Sequence, residues 1–369
     1  MSISVFILFA GLFLSYSNGA NDNFKGVATL FGSGASNYKR ALYWATFTTF
    51  LGSLAALFFS KGLVAVFSGK GLVPNLSTEM PLFLFSLGLG SALTIYLATV
   101  TGFPISTTHA LVGGLIGAGL AVGQNIQIEK LWNIYLLPLL FSPLISLILT
   151  RAFYPLFQSL REVCGINGQT CFCINGKEEI VEVTPGGAAI LKSSGITLTI
   201  DQVSVCQTRY MGTLLGLRAQ TVLDRVHYLS AGAVSFARGL NDAPKIAALM
   251  IGAKIFGINN AILWVGSLMV LGGLLNARKV AQTMSKKITP MNHGQGFTAN
   301  LVSAILVTTA SFFSLPVSTT HVTCGAIFGI GMVSQKADWR MIRNILISWL
   351  ITLPVAGILS ASILLLLKN

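Results

Sequence analysis

Long apolar runs, broken by short loops carrying basic residues or glycine, recur along most of the chain. About 20 apolar residues suffice for one membrane-crossing helix. Runs of that order cover 2–31, 41–60, 81–101, 104–122, 131–157, 226–252, 258–277, 297–314, 316–334 and 341–368. The rhythm fails between 158 and 225. Within that stretch Ile196-Thr197-Leu198-Thr199-Ile200 and Val203-Ser204-Val205 alternate apolar with polar, which predicts half-buried strands. Thr184-Pro185-Gly186-Gly187 ahead of them signals a turn. The pattern divides the chain into a first transmembrane repeat, 1–157, a linker module, 158–225, and a second repeat, 226–369.

Composition agrees with the pattern. Hydrophobic residues make up 53% of the 369 and charged ones only 9%, whereas soluble domains carry about 25% charge. Water is therefore not the solvent of most of this surface. The expected fold is an all-α polytopic membrane protein with a small β-containing linker. The first run lacks a basic amino-terminal region and contains Asn21-Asp22, a phrase that returns at Asn241-Asp242, so it is expected to be a retained helix rather than a leader.

The net charge of +13 first suggests a nucleic-acid partner. Its placement in short loops argues instead for membrane orientation. If Lys39 and Arg40 face the cytoplasm, span counting brings Arg161, Arg209, Arg218, Arg225, Arg278, Lys279, Lys286, Lys287, Lys336, Arg340 and Arg343 to that side. Lys61, Lys70, Lys130, Lys254 and Lys368 fall on the other. Both termini are then outside, the linker is cytoplasmic, and the compartment is the plasma (inner) membrane. Five segments per half, an odd number, make the second half enter upside down. Inverted repeats with interrupted or re-entrant helices are characteristic of secondary transporters.

Four of the five cysteines, Cys164, Cys171, Cys173 and Cys206, lie in the linker. They lack the C-x-x-C pairs of a zinc site, and cytosolic disulfides are disfavoured. Buried reduced thiols are the expectation.

Two polar phrases are each written twice inside the apolar runs. Pro104-Ile105-Ser106-Thr107-Thr108-His109 recurs as Pro316-Val317-Ser318-Thr319-Thr320-His321, and Gly19-Ala20-Asn21-Asp22 recurs as Gly239-Leu240-Asn241-Asp242. Proline followed by hydroxyl residues starts a helix. The exposed N–H groups and dipole of a first turn attract anions, and the hydroxyls add donors. A single copy is better explained by hydroxyls bonding their own helix. Two copies in opposed halves point to an anion cradle near the midplane.

Asp22 and Asp242 are carboxylates well inside spans, where an unpaired charge costs a few kcal/mol or more. They suit a small cation or a proton, or an ion pair with Lys25 and Lys245 three residues on. Gly19, Gly239 and Pro244 are expected to let the helices unwind there. Lys25, Lys245 and Arg238 either reach the anion or snorkel to an interface. His109 and His321 fit a proton relay or a packing role with a backbone carbonyl. No nucleotide-binding or hydrolase motif appears, so the chain is not expected to be an enzyme, and either an ion gradient supplies the energy or the path is passive.

These four segments, Gly19–Asp22, Gly239–Lys245, Pro104–His109 and Pro316–His321, resemble the hallmark sequences of the inorganic phosphate transporter (PiT) family, across both halves and without the linker. The resemblance implies phosphate symport with sodium or protons, no cofactor, and a homodimer. It implies phosphate held by Ser106, Thr107, Thr108, Ser318, Thr319, Thr320, Asn21 and Asn241, with Asp22 and Asp242 serving the cation, sodium if the chain is sodium-coupled. Asn23-Phe24-Lys25 departs from the small residues usual after the first motif. Alternatives are a sulfate permease of the same fold, an uncoupled anion channel, and a membrane sensor working through the linker. Buried carboxylates would hinder a pure anion pore.

Overall fold

A computed structural model describes all of the chain except residues 1–2, 60, 69–71, 74–80, 168, 184–188, 205–216, 253, 255 and 369, and the side chains of 61 and 173–198. The turn expected at Gly186-Gly187, Val205, Cys206 and the Cys173 side chain lie outside the described residues. The chain forms two compact units, Met1–Tyr154 with His227–Asn369, and Pro155–Val226.

The first unit, from which one helix runs on past Tyr154 and into which another enters before His227, repeats one order of elements. Its first half comprises α1 (Ile3–Asp22), a 3₁₀ turn (Lys25–Val27), α2 (Ala28–Gly32), α3 (Tyr38–Phe59), α4 (Lys61–Phe67), α5 (Pro81–Thr101), α6 (Thr107–Ala121) and α7 (Ile128–Val163). The second half comprises α8 (Ala219–Gly252), α9 (Ile258–Asn276), α10 (Arg278–Gln282), α11 (His293–Phe312), α12 (Thr319–Ser334) and α13 (Trp339–Lys368). Among the described residues, 6 helices are long and apolar enough to cross a membrane: Ile3–Gly32, α3, α5, α7, α9 and α13. The expected segments at 104–122 and 316–334 are shorter than a span. With 15 and 16 residues, α6 and α12 reach about 23 Å, less than the ~30 Å of a bilayer core. Each instead folds back on the preceding helix as a hairpin.

The two hairpin turns are built alike. α5 ends with Gly102 at φ +82°, its N–H bonded to the Thr99 carbonyl, while Phe103 N–H bonds Ala98. α11 ends with Ser314 at φ +55°, bonded to Ser311, while Leu315 N–H bonds Ala310. This is the left-handed helix stop that glycine favours. The second half makes it with a serine.

Glycine governs how the halves meet. A Cβ on Gly19 would stand 2.0 Å from the Met269 carbonyl oxygen in α9, and one on Gly239 would stand 2.1 Å from the Thr49 carbonyl oxygen in α3. Gly113 and Gly117 of α6 abut the backbone of Leu353 and Gly357 in α13, and Gly325 and Gly329 of α12 abut Pro143 and Leu147 in α7. Both pairs are G-x-x-x-G ridges that let helices touch backbone to backbone. Every one of these contacts joins one half to the other, so the repeats interlock.

The expected unwinding at the Asn-Asp phrase occurs in the first half alone. α1 stops at Asp22, and the chain resumes as the 3₁₀ turn from Lys25. In the second half α8 runs unbroken through Gly239 and Pro244. The correction in the second half has a physical reason: Gly239 serves close approach to α3 rather than unwinding.

In the second unit β1 (Thr170–Val183) pairs antiparallel with β2 (Ala189–Gln202) and with β3 (Leu217–Arg218), giving the order β2-β1-β3. β2 contains the alternating 196–200 segment, but it ends at Gln202, and Val203 and Ser204 begin a helical turn. Cys171 is buried whereas Cys164 is exposed, so the expectation of buried thiols fails at Cys164.

Candidate functional site

Among the described residues of the helical unit, five charged side chains are buried: Asp22, Lys25, Arg238, Asp242 and Lys245, each no more than 2% exposed. They come from the ends of the two Asn-Asp phrases and meet the two hairpin turns. Three basic side chains against two carboxylates give the centre a formal charge of +1. An uncompensated buried charge is costly, so this centre is suited to receive an anion.

Each hydroxyl phrase starts its helix in the same way. Ser106 is the N-cap of α6 at φ −96°, ψ 118°, and accepts from His109 N–H at 3.1 Å. Ser318 caps α12 at φ −97°, ψ 118°, and accepts from His321 N–H at 3.2 Å. Pro104 and Pro316 lie two residues before the cap, which keeps the turn extended. The next hydroxyl turns to the aspartate: Thr107 donates to Asp22 Oδ2 at 3.2 Å, and Thr319 to Asp242 Oδ2 at 3.5 Å. The third crosses between halves. Thr108 donates to the Val317 carbonyl at 3.4 Å, and Thr320 to the Ile105 carbonyl at 2.8 Å.

The asparagines pin the turns. Asn21 Nδ2 donates to Thr99 Oγ1 at 3.0 Å and to the Phe103 carbonyl at 3.1 Å, while its Oδ1 accepts from Ile105 N–H at 3.1 Å. Asn241 Nδ2 donates to the Val317 carbonyl at 3.2 Å, and its Oδ1 accepts from Ser311 Oγ at 3.3 Å. Thr99 and Ser311 were not among the residues expected at the site. Both precede their proline by five residues, a spacing visible in the sequence.

The lysines do not snorkel. Lys25 Nζ donates to Asn21 Oδ1 and the Ile105 carbonyl, each at 2.8 Å, to Thr320 Oγ1 at 2.6 Å, and to Asp22 Oδ1. Lys245 Nζ donates to the Val317 carbonyl at 2.8 Å and Thr108 Oγ1 at 3.0 Å, with Asp242 Oδ1 at 3.5 Å.

Arg238 breaks the symmetry, because Asn18 holds the equivalent place in the first half. Its guanidinium reaches Asn18 Oδ1 at 3.3 Å and Asn23 Oδ1 at 3.4 Å, and its Nε lies 3.9 Å from Asp242 Oδ2. Asn18 in turn donates to Thr107, Asp22 and Asp242, at 2.8, 3.2 and 3.4 Å. Asn18 and Arg238 thus bridge the two aspartates.

The two histidines meet between the helix starts, ring centroids 4.7 Å apart. His321 Nδ1 lies 3.1 Å from the Leu139 carbonyl oxygen, and its ring stacks on Trp349, whose Nε1 donates to the Pro104 carbonyl at 3.0 Å. His321 thus has a backbone-carbonyl partner and an aromatic neighbour, while among the described residues His109 Nδ1 has no hydrogen-bond partner.

The model of the phosphate transporter family matches residues 18–360, both halves and the linker together. Named relatives match over nearly all of the chain. A Rhizobium meliloti protein, named a probable low-affinity inorganic phosphate transporter, is 29% identical over 96% of this chain and 93% of its own length. The Arabidopsis thaliana protein "Inorganic phosphate transporter 2-1, chloroplastic" is 26% identical over 97% of this chain and 71% of its own. Among solved structures, "The sodium-dependent phosphate transporter" superposes with a TM-score of 0.78 at 23% identity, covering 100% of this chain and 99% of that one. That likeness establishes the fold.

Proposed function

Because the chain belongs to the phosphate transporter family and carries phosphate across a membrane, we propose that it works as a secondary importer, a symporter that draws phosphate in with sodium or protons. The observation that carries this reading is the buried centre with its surplus positive charge, framed by two capped helix starts from opposite halves.

In this reading phosphate lies between the hydroxyls of Ser106, Thr107 and Thr108 and those of Ser318, Thr319 and Thr320. Asn21 and Asn241 stand beside it and hold the two turns in place. First-turn N–H groups and hydroxyls supply the direct anion contacts, and the buried lysines and arginine behind them supply the countercharge. Asp22 and Asp242 serve the coupling cation. They also separate phosphate from sulfate, because phosphate retains an O–H near neutral pH that can donate to a carboxylate, whereas sulfate has none. His109 and His321 occupy the seam between the two helix starts, where a proton could pass.

Radiolabelled phosphate uptake into proteoliposomes, with sodium and pH gradients imposed separately, tests the reading. Accumulation against the phosphate gradient is expected under at least one of them. Uptake indifferent to both would leave a channel, and sulfate competing as well as phosphate would overturn the substrate.

A further inference from the structure

The two buried lysines are placed as bound cations would be. Lys25 Nζ sits among four oxygens of four kinds: the Asp22 carboxylate, the Asn21 amide carbonyl, the Ile105 backbone carbonyl and the Thr320 hydroxyl. An ammonium has three N–H donors, so the shell offers one acceptor more than it can serve singly. Carboxylate, carbonyl and hydroxyl oxygens are the ligand set of a hard cation. Lys245 Nζ repeats the pattern with the Val317 carbonyl, the Thr108 hydroxyl and Asp242 Oδ1. In both, the aspartate and the backbone carbonyl belong to the lysine's own half and the hydroxyl to the other. Each ammonium ties the two hydroxyl phrases together as a shared ion would.

We propose that Lys25 and Lys245 are tethered substitutes for the travelling cation, so that phosphate uptake by this chain is driven by protons and is indifferent to sodium. The inference rests on the phosphate-symport reading above and decides between its two ions. A tethered ammonium fills the oxygen shell but cannot leave with the anion. A sodium ion seeking the same oxygens would have to displace a covalently attached charge already paired with the aspartate. The surplus positive charge is then permanent, and a proton that travels on the phosphate or on a carboxylate needs no separate metal-sized seat.

The test is phosphate uptake in proteoliposomes, wild type first. Replacing all sodium with choline is expected to leave the initial rate unchanged while an inward proton gradient raises accumulation. Lys25→Ala empties one shell. Its uptake in choline is expected to fall by about tenfold or more, the scale set by unpairing a buried carboxylate, and to recover with sodium or methylammonium. Purified wild type is also expected to show no sodium-dependent shift in thermal unfolding, a measurement that needs no variant. Wild-type uptake that collapses in choline overturns the inference and leaves phosphate symport standing, as does a Lys25→Ala variant that works equally well without added cation. Failure of wild type to take up phosphate under any gradient sinks the symport reading itself.

Discussion

At the scale of single residues the centre is a set of charges that no one side chain balances. Asp242 faces Lys245 Nζ at 3.5 Å and Arg238 Nε at 3.9 Å, and also accepts from Asn241 at 3.2 Å and Asn18 at 3.4 Å. Asp242→Asn keeps the size and two hydrogen-bonding atoms but removes the charge. Ion-coupled phosphate accumulation is expected to fall to background while the protein still elutes as a folded species in detergent. Near-normal accumulation in proteoliposomes would refute a coupling role for this carboxylate. Asp22, Asp242, Asn21, Asn241 and the Ser-Thr-Thr hydroxyls were legible in the sequence, because each stands in a phrase written twice, whereas Asn18, Asn23, Thr99 and Ser311 stand outside those phrases and emerge only in the fold. The crossing of Lys25 to Thr320 and of Lys245 to Thr108 was not, since it arises only when two halves 212 residues apart in their hydroxyl phrases fold against each other. Three residues on from each aspartate, the lysines were as compatible with snorkelling as with a buried pair.

Among the elements, glycine was the residue most easily misread. Gly19 and Gly239 stand beside the Asn-Asp phrases, where helix interruption is a natural expectation; the interruption follows only the first, and both glycines serve backbone contact with a helix of the other half. Periodicity cannot separate these uses, because either calls for the smallest residue inside an apolar run. The ridges of α6 and α12 allow a direct check. A Cβ on Gly117 would lie 2.0 Å from the Gly357 carbonyl oxygen, so Gly117→Ala must push α6 from α13 and is expected to cost about 1–3 kcal/mol. Gly257 caps α9 with nothing within 4 Å of its would-be Cβ, and Gly257→Ala is expected to cost under about 1 kcal/mol. Thermal unfolding in detergent, followed by tryptophan fluorescence, compares the two; equal shifts would show that the ridge contact is unimportant. Ser314 gives the opposite sign. It holds φ +55° where Gly102 holds +82° in the other turn, and relieving a left-handed conformation by Ser314→Gly is expected to stabilise by about 1 kcal/mol. A lower unfolding midpoint would overturn that assignment.

For the whole molecule the consequence is that neither repeat is a folding unit by itself. α6 seats its ridge on α13, α12 on α7, α1 on α9 and α8 on α3, so every principal glycine seam crosses between halves. The hydrogen bonds at the centre cross as well, from Thr108 to Val317 and from Thr320 to Ile105. A half expressed alone would expose these seams and leave its buried charges without partners, at several kcal/mol for each unpaired ion. Residues 1–157 or 226–369 produced separately are therefore expected to be degraded or aggregated, whereas the two produced together as separate chains are expected to assemble and take up phosphate. Co-purification through a tag on one piece, followed by uptake in proteoliposomes, reads the outcome. A single half that is stable and monodisperse would mean that the interlocking seams contribute little. The arrangement also bears on alternating access. With the anion site built at the crossing of the two halves, a rearrangement of one against the other must remake Lys25–Thr320 and Lys245–Thr108 together. The bond that holds the halves and the bond that shapes the site are then the same, and loss of either lysine is expected to slow the transport cycle more than it weakens phosphate binding, a split that comparing uptake rate with phosphate affinity by isothermal titration would expose.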